Sequence, residues 1–266
     1  MCTYSKEHKD YLRKLKKEKI IITSVRILII VALLVIWELL SKYNIINSFL
    51  SSSPSNALKT AVLLIKDKTL FNHIGITLYE VFISFLIASI IGLLIATLLW
   101  SNKILSKILD PYITILNSLP KVALGPLIII WVGASINSII FMALLINMFI
   151  TIINIYNGFI STDKNYITLL KSFGASKRQI FLKVILPSNY MNIISALKIN
   201  ISMSLIGVIM GELLVSKKGL GYLIMYGSQV FNIDLVITSV VILGIISYLM
   251  YYIIEKVEIY LNNKRN

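Results

Sequence analysis

Apolar residues run along this chain in long unbroken stretches, not in the broken stripes of a half-buried soluble helix. Val81 to Asn102 and Leu235 to Ile254 carry no formal charge. Each is close to the ~20 residues that cross about 30 Å of hydrocarbon at about 1.5 Å per residue. Val122 to Thr162 is also uncharged, and at helical rise it is about twice the membrane thickness, so it predicts two helices folded back at Gly133-Ala134-Ser135-Ile136-Asn137. Ile20 to Leu40 makes a further span with Arg26 and Glu38 near its ends, and Ile193 to Val215 makes another with Lys198 and Glu212. The pattern predicts an all-α integral membrane protein of about six transmembrane helices, over residues 20–40, 78–100, 111–132, 138–160, 193–215 and 235–254. A basic segment, 1–19, precedes them, and a helical loop, 161–187, joins the fourth to the fifth. Between the first two spans, the turn cluster Ser51 to Asn56 leads into Ala57 to Lys66, whose apolar residues favour one helical face and predict an amphipathic surface helix.

Composition agrees: 57% of the 266 residues are hydrophobic and 14% charged, against about 45–50% and about 25% in soluble domains. No hydrophilic stretch is long enough to enclose a soluble core. A lone cysteine, Cys2, excludes an intrachain disulfide and a thiolate metal site, while His8 and His73 are too scattered for a metal site or an acid–base pair. The +14 net charge is distributed as topology, in short clusters between apolar runs, and not as a nucleic-acid-binding face. The two ends and the second-to-third and fourth-to-fifth connections hold 17 Lys and Arg residues, against six in the other connections. The positive-inside rule then predicts a multi-pass protein of the cell membrane with both termini cytoplasmic. No small-residue cleavage site follows the first apolar run, so that run is expected to stay attached.

The loop 161–187 keeps helical patterning on both sides of Gly174, with Leu169, Leu170 and Phe173 before it and Ile180, Phe181, Val184 and Ile185 after it. Gly174 suits a left-handed helix C-cap, and Ser176 with Gln179 forms a capping box that opens the next helix. The residues alone allow either an interfacial hairpin without a partner or a docking element offered to a cytosolic subunit.

Lys171-Ser172-Phe173-Gly174-Ala175-Ser176, followed by Phe181, Val184 and Leu186-Pro187, resembles the EAA loop of binding-protein-dependent ABC transporter permeases. Thr168, Leu169 and Leu170 stand where that family has an acidic and two small residues. The likeness extends over almost the whole chain and narrows toward the sulfonate, taurine and nitrate branch. It runs through Trp37-Glu38-Leu39, Leu70 to Ile74, Thr77-Leu78, Asp110-Pro111, Leu119 to Leu127, Trp131-Val132-Gly133, Glu212 and Gly219-Leu220-Gly221-Tyr222-Leu223. Glu80 departs from it, since a basic residue is usual nearby. The resemblance implies a coupling helix, carried by Leu169, Leu170, Lys171, Ser172, Phe173, Gly174, Ala175, Ser176 and Phe181, that seats in a cytosolic ATPase subunit. It also implies an extracytoplasmic binding protein and a second permease copy, as homodimer or related pair. No G-x-x-x-x-G-K-[ST] phosphate loop occurs, so no cofactor is expected on this chain, ATP being bound by the partner subunit, and no catalytic residue is assigned.

Several features keep two readings. The small-residue stripe Ser84, Ala88, Gly92, Ala96 and the pair Gly207, Gly211 suit close helix packing, either within a subunit or between subunits. Lys121, inside a span, could meet an anionic substrate or snorkel to a partner. Pro120 and Pro126 free backbone carbonyls that could line a path or be covered by neighbours, and Glu212 is either a ligand or a structural acceptor. Together Pro120, Lys121, Pro126 and Glu212 are the candidate translocation path. The function expected is uptake of a small solute, an anion such as sulfonate, taurine or nitrate. The alternatives are a thiamine-pyrimidine-type precursor or, in another class, an ion-coupled secondary transporter, which would favour repeated halves that the chain lacks.

Overall fold

A computed structural model describes residues 6–43, 45–46 and 51–263, and its elements are helical throughout. In chain order they are α1 (Lys6–Lys42), α2 (Pro54–Lys66), α3 (Thr69–Ser101), α4 (Lys103–Ser118), α5 (Gly125–Val132), α6 (Ile136–Ile160), α7 (Lys164–Ser172), α8 (Tyr190–Val215), α9 (Leu220–Gln229) and α10 (Ile233–Asn263). Five helices are long and apolar enough to cross a membrane, and a sixth span results if the bent pair around Pro120 counts as one. The chain divides into two compact units, Met1–Leu63 and Leu64–Asn266.

In the first unit, α1 starts well ahead of residue 20, because the Lys-rich stretch holds neither Gly nor Pro and continues the helix. Its apolar residues run round the whole helix and not along one stripe, as suits a helix bathed in lipid. Ser53 caps α2, its Oγ accepting from the Asn56 N–H at 3.2 Å, with Pro54 at the first helical position. Glu38 Oε2 accepts from the Ser55 N–H at 3.0 Å, joining the end of α1 to that cap.

In the second unit the third expected span, 111–132, requires correction. Pro111 lies inside α4, whose start is fixed earlier by Asn102: its Oδ1 accepts from the N–H groups of Ile104 and Leu105 at 3.0 and 3.1 Å. α4 ends at Ser118, because Leu119 precedes a proline and turns extended, with φ −63° and ψ 141°. The chain resumes as a 3₁₀ turn, Lys121–Leu124, and α5, bent from α4 by 81°. Gly133, at φ +86°, closes α5 and leads into α6, at the fold-back the uncharged run predicts. The second span also begins earlier than residue 78, since 69–77 contains no proline to stop α3.

α3, α6 and α8 form the packed centre. One apolar cluster joins Val81 of α3, Ile139 and Ala143 of α6, and Leu205, Val208 and Ile209 of α8 with Leu220 and Leu223 of α9 and Leu235 and Ile246 of α10. Another joins Ala96, Ile155 and Phe159 with Ala196, Ile180 and Ile185. α3 and α6 therefore run parallel and α8 antiparallel to both. Both small-residue stripes are consumed inside the chain. A Cβ on Gly92 would lie 2.7 Å from Thr151 Cγ2, and one on Gly207 would lie 2.5 Å from the Ala143 Cα. Without a hydrophobic drive in lipid, such close approach and buried polar contacts hold helices together. The polar contacts form a chain: Asn147 Nδ2 donates to Ser204 Oγ, Ser204 Oγ to Asn200 Oδ1 at 3.2 Å, and Asn200 Nδ2 to Ser89 Oγ at 2.8 Å.

Candidate functional site

The segment between α6 and α8 is a rigid elbow. Asp163 opens α7, its Oδ1 accepting from the Asn165 N–H at 2.9 Å. α7 closes in a Schellman motif: the Gly174 N–H donates to the Lys171 carbonyl at 2.9 Å and the Ala175 N–H to the Leu170 carbonyl at 3.0 Å, with Gly174 at φ +72°. No atom lies within 4 Å of a Cβ built on Gly174, so the backbone angle, not space, asks for glycine there. The Ser176–Gln179 capping box forms, with bonds of 2.8 and 3.3 Å, and starts the turn Lys177–Ile180. The chain then widens into a π turn, Phe181–Ile185, whose Leu186 N–H reaches back to the Phe181 carbonyl. Pro187 follows at once; its ring cannot fit against a regular preceding turn, which accounts for the widening.

The elbow has an inner and an outer face. Phe181 packs on Trp100 at 5.1 Å and edge-on to Phe159 at 5.5 Å, while Leu170 and Ala175 lie against the cluster of Ala96, Ile155 and Ile180. Outward, Tyr166, Leu169 and Phe173 are spaced three and four residues apart and stand exposed, Leu169 by 54% and Phe173 by 76%. Lys171 and Ser172 flank them, also exposed. The loop reading missed the lock on this elbow. Buried Asn189 donates to Thr162 Oγ1 at 2.6 Å and to the Ile185 carbonyl at 2.9 Å, and its Oδ1 accepts from Asn192 at 2.9 Å, so the two ends of the segment are stapled. An Asn just past Leu186-Pro187-Ser188 is the one sequence signal for it.

The four candidate path residues separate into two places. Pro120, Lys121 and Pro126 stand at the 81° bend. There Lys121 Nζ donates to the Asn117 carbonyl at 3.1 Å and its Oδ1 at 3.2 Å, and lies 5.5 Å from the Phe149 ring. None of those partners is a carboxylate. Lys198 differs: it forms an ion pair with Glu258 of α10. Glu212 sits elsewhere, 1% exposed, at the corner of α3, α8 and α9. Its Oε1 accepts from Thr77 Oγ1 at 2.6 Å and its Oε2 from the Gly221 N–H at 2.5 Å, while the Leu220 and Gly219 N–H groups donate to Thr77 Oγ1 and His73 Nδ1, both at 2.9 Å. These bonds cap the start of α9, whose leading N–H groups would otherwise be orphaned in lipid. The two glycines follow from this: a Cβ on Gly219 would overlap the Glu212 carboxylate, and one on Gly221 would lie 2.7 Å from Glu212 Cβ. Sequence reading set Thr77, His73 and Glu212 apart, and their convergence across more than a hundred residues left no local signal.

Comparison with known proteins fits this arrangement. Residues 88–259 match the family described as the binding-protein-dependent transport system inner membrane component. The chain belongs to that family. It is the permease component of an ABC importer, not the ATPase subunit, and a multi-pass inner membrane protein whose family name implies a binding protein and an ATPase as partners. The permease is 31% identical over 229 residues to a Haemophilus influenzae protein named as an ABC transporter permease, covering 86% of this chain and 93% of that one. It is 29% identical to the formylaminopyrimidine transport permease ThiX of Halalkalibacterium halodurans, over 85% of this chain and 90% of the relative. It is 27% identical to an aliphatic sulfonates transport permease, SsuC of Bacillus subtilis, over 82% and 79%. Among solved structures, the fold matches a chain of the inward-facing MetNI methionine ABC transporter with a TM-score of 0.65, at 22% identity, over 71% of this permease and 94% of that chain.

Proposed function

We propose that the permease works as a homodimer, with both termini in the cytoplasm, and that the 161–189 elbow is the coupling element on which the ATPase subunit pulls. The observation that carries this reading is the outer face of α7: Tyr166, Leu169 and Phe173 form an exposed apolar stripe while Ile167 and Leu170 are turned inward on the core, and Phe181 and Asn189 clamp the base of the segment to the membrane helices. A stripe so mounted transmits force, because the clamp moves the long helices with it. The bend at Pro120, Lys121 and Pro126 is the proposed lining of the path, with Lys121, unpaired with any carboxylate there, the group that meets an anionic solute.

The solute proposed is a small anion of the sulfonate, taurine or nitrate kind, in keeping with that cation and with the likeness to SsuC. The likeness to ThiX favours a second reading, a pyrimidine precursor of thiamine. The ion-coupled secondary transporter gives way to membership of the ATP-driven family. The test reconstitutes the permease with its ATPase and binding protein and asks which solute stimulates ATP hydrolysis. A sulfonate is expected to do so and a formylaminopyrimidine not to; the reverse result decides for the second reading. Cysteine placed at Phe173 should crosslink to the ATPase, and failure to capture it removes the coupling role.

A further inference from the structure

One charged side chain in the membrane has no partner in the arrangement described so far. Glu80 of α3 is 0% exposed, and neither of its carboxyl oxygens has a hydrogen-bond donor. It lies one helical turn from Thr77, on the face that meets Glu212, and its carboxyl stands beside that of Glu212. It also lines a cavity of about 340 Å³ together with Ile76, Ser135, Ile139, Lys217 and Lys218. The Thr77 hydroxyl and the Gly221 N–H are spent on Glu212, the Leu220 and Gly219 N–H groups on Thr77 and His73, and neither Glu80 oxygen receives a bond from Lys217 or Lys218 across the cavity.

Two unprotonated carboxylates pressed together in a low-dielectric interior repel strongly, and a buried oxygen without a donor forfeits its solvation. One proton removes both penalties: it supplies the missing donor and leaves the pair with a single negative charge, which Thr77 Oγ and the Gly221 N–H already solvate. We propose that Glu80 and Glu212 bind one proton between them, Glu80 donating it to Glu212, and that this proton fastens α3 to the α8–α9 corner. The other charged and titratable groups at the corner do not replace it. His73 of α3 is committed through Nδ1 to the Gly219 N–H and stacks on Tyr222 of α9 at 5.8 Å; Lys217 and Lys218 line the cavity from the loop; and the 134–139 wall contributes no titratable side chain. When the pair ionises fully, two facing charges push α3 away from the corner, beside the cavity that Glu80 borders.

The proposal stands apart from the coupling reading, since it concerns the opposite end of α8 and needs no transport assay. The permease–ATPase complex in lipid nanodiscs, with glutamate carbon-13 labelled, is examined by infrared spectroscopy at neutral pH. A carboxylic-acid C=O band that shifts with the label and in heavy water is expected in the wild type and should be lost in Glu80→Gln; a wild type without such a band overturns the proposal even if the variant fails to fold. Thermal stability is followed from about pH 6 to about pH 9. The bound proton stabilises the fold, so the wild-type midpoint should fall by several degrees as pH rises, while Glu80→Gln, whose amide is a permanent donor, should stay level near the wild-type low-pH value. Glu80→Lys, which pairs with Glu212 as an ion pair, should also lose the pH dependence. An unchanged slope in Glu80→Gln overturns the proposal. So does a wild-type midpoint raised at high pH by sodium or potassium at constant ionic strength but unmoved in Glu80→Gln, because the ligand is then a metal cation.

Discussion

At the scale of single residues, three glycines do different work, and substitution separates them. Gly174 has open space around it and a φ of +72°, so a side chain there pays only for backbone conformation. Gly174→Ala should cost about 1–2 kcal/mol of local stability. Gly174→Val, β-branched, should drive the elbow out of its Schellman bend, abolishing uptake while the protein remains in the membrane at wild-type abundance. Wild-type uptake by a well-inserted Gly174→Val variant counts heavily against the coupling role. Gly219 and Gly221 are constrained by contact as well. Gly221→Ala would bring its methyl to 2.7 Å from Glu212 Cβ and 2.9 Å from the Ile209 carbonyl. Overpacking of that kind costs about 1–3 kcal/mol, and a lowered thermal midpoint of the purified protein should report it. Gly174 announced itself in the sequence because its motif is local, six residues of cap and box. The reason for Gly219 and Gly221 did not, because the carboxylate that excludes their side chains arrives from another helix.

At the scale of elements, the long charge-free runs made the spans legible, since membrane thickness sets one length for all of them. What they hid was geometry inside a run. The stretch 111–132 has the composition of a span, and only the competition between the Asn102 cap and the Pro120 break converts it into α4, an 81° bend and α5. The stripes at Ser84 to Ala96 and at Gly207 and Gly211 were legible as packing faces, but their partner was not: both meet α6 of the same chain. Gly207→Val should therefore part α6 from α8 inside one subunit, because a Cβ there already sits 2.5 Å from the Ala143 Cα and the backbone cannot yield. The expected signature is a large drop in thermal midpoint at every protein concentration; a drop relieved by raising the concentration would place the stripe between subunits instead. Asn200→Leu removes the bond that joins α8 to Ser89 of α3 and should be milder, about 0.6 kcal/mol for each interhelical hydrogen bond lost, read as a smaller drop in the same midpoint.

At the scale of the whole molecule, one orientation has to satisfy every element at once. α3 and α6 run parallel and α8 runs against them, as in a chain that crosses at each long helix, so the turn before α6 and the loop 216–219 lie at one end of the bundle and the elbow at the other. Lys and Arg crowd the elbow's end and the two termini, 17 against six, and cationic side chains resist transfer across the bilayer, so the crowded end should be cytoplasmic. The coupling proposal needs the same orientation, since ATP and the ATPase that hydrolyses it are inside the cell. In a Cys2→Ser background, a membrane-impermeant maleimide added to intact cells should label Lys217→Cys at once, and label Lys14→Cys and Lys171→Cys only after permeabilisation. Labelling of Lys171→Cys from outside would invert the bundle, and with it the elbow would face a compartment that holds no nucleotide, so no refinement of the α7 stripe could keep it as the point where the motor pulls.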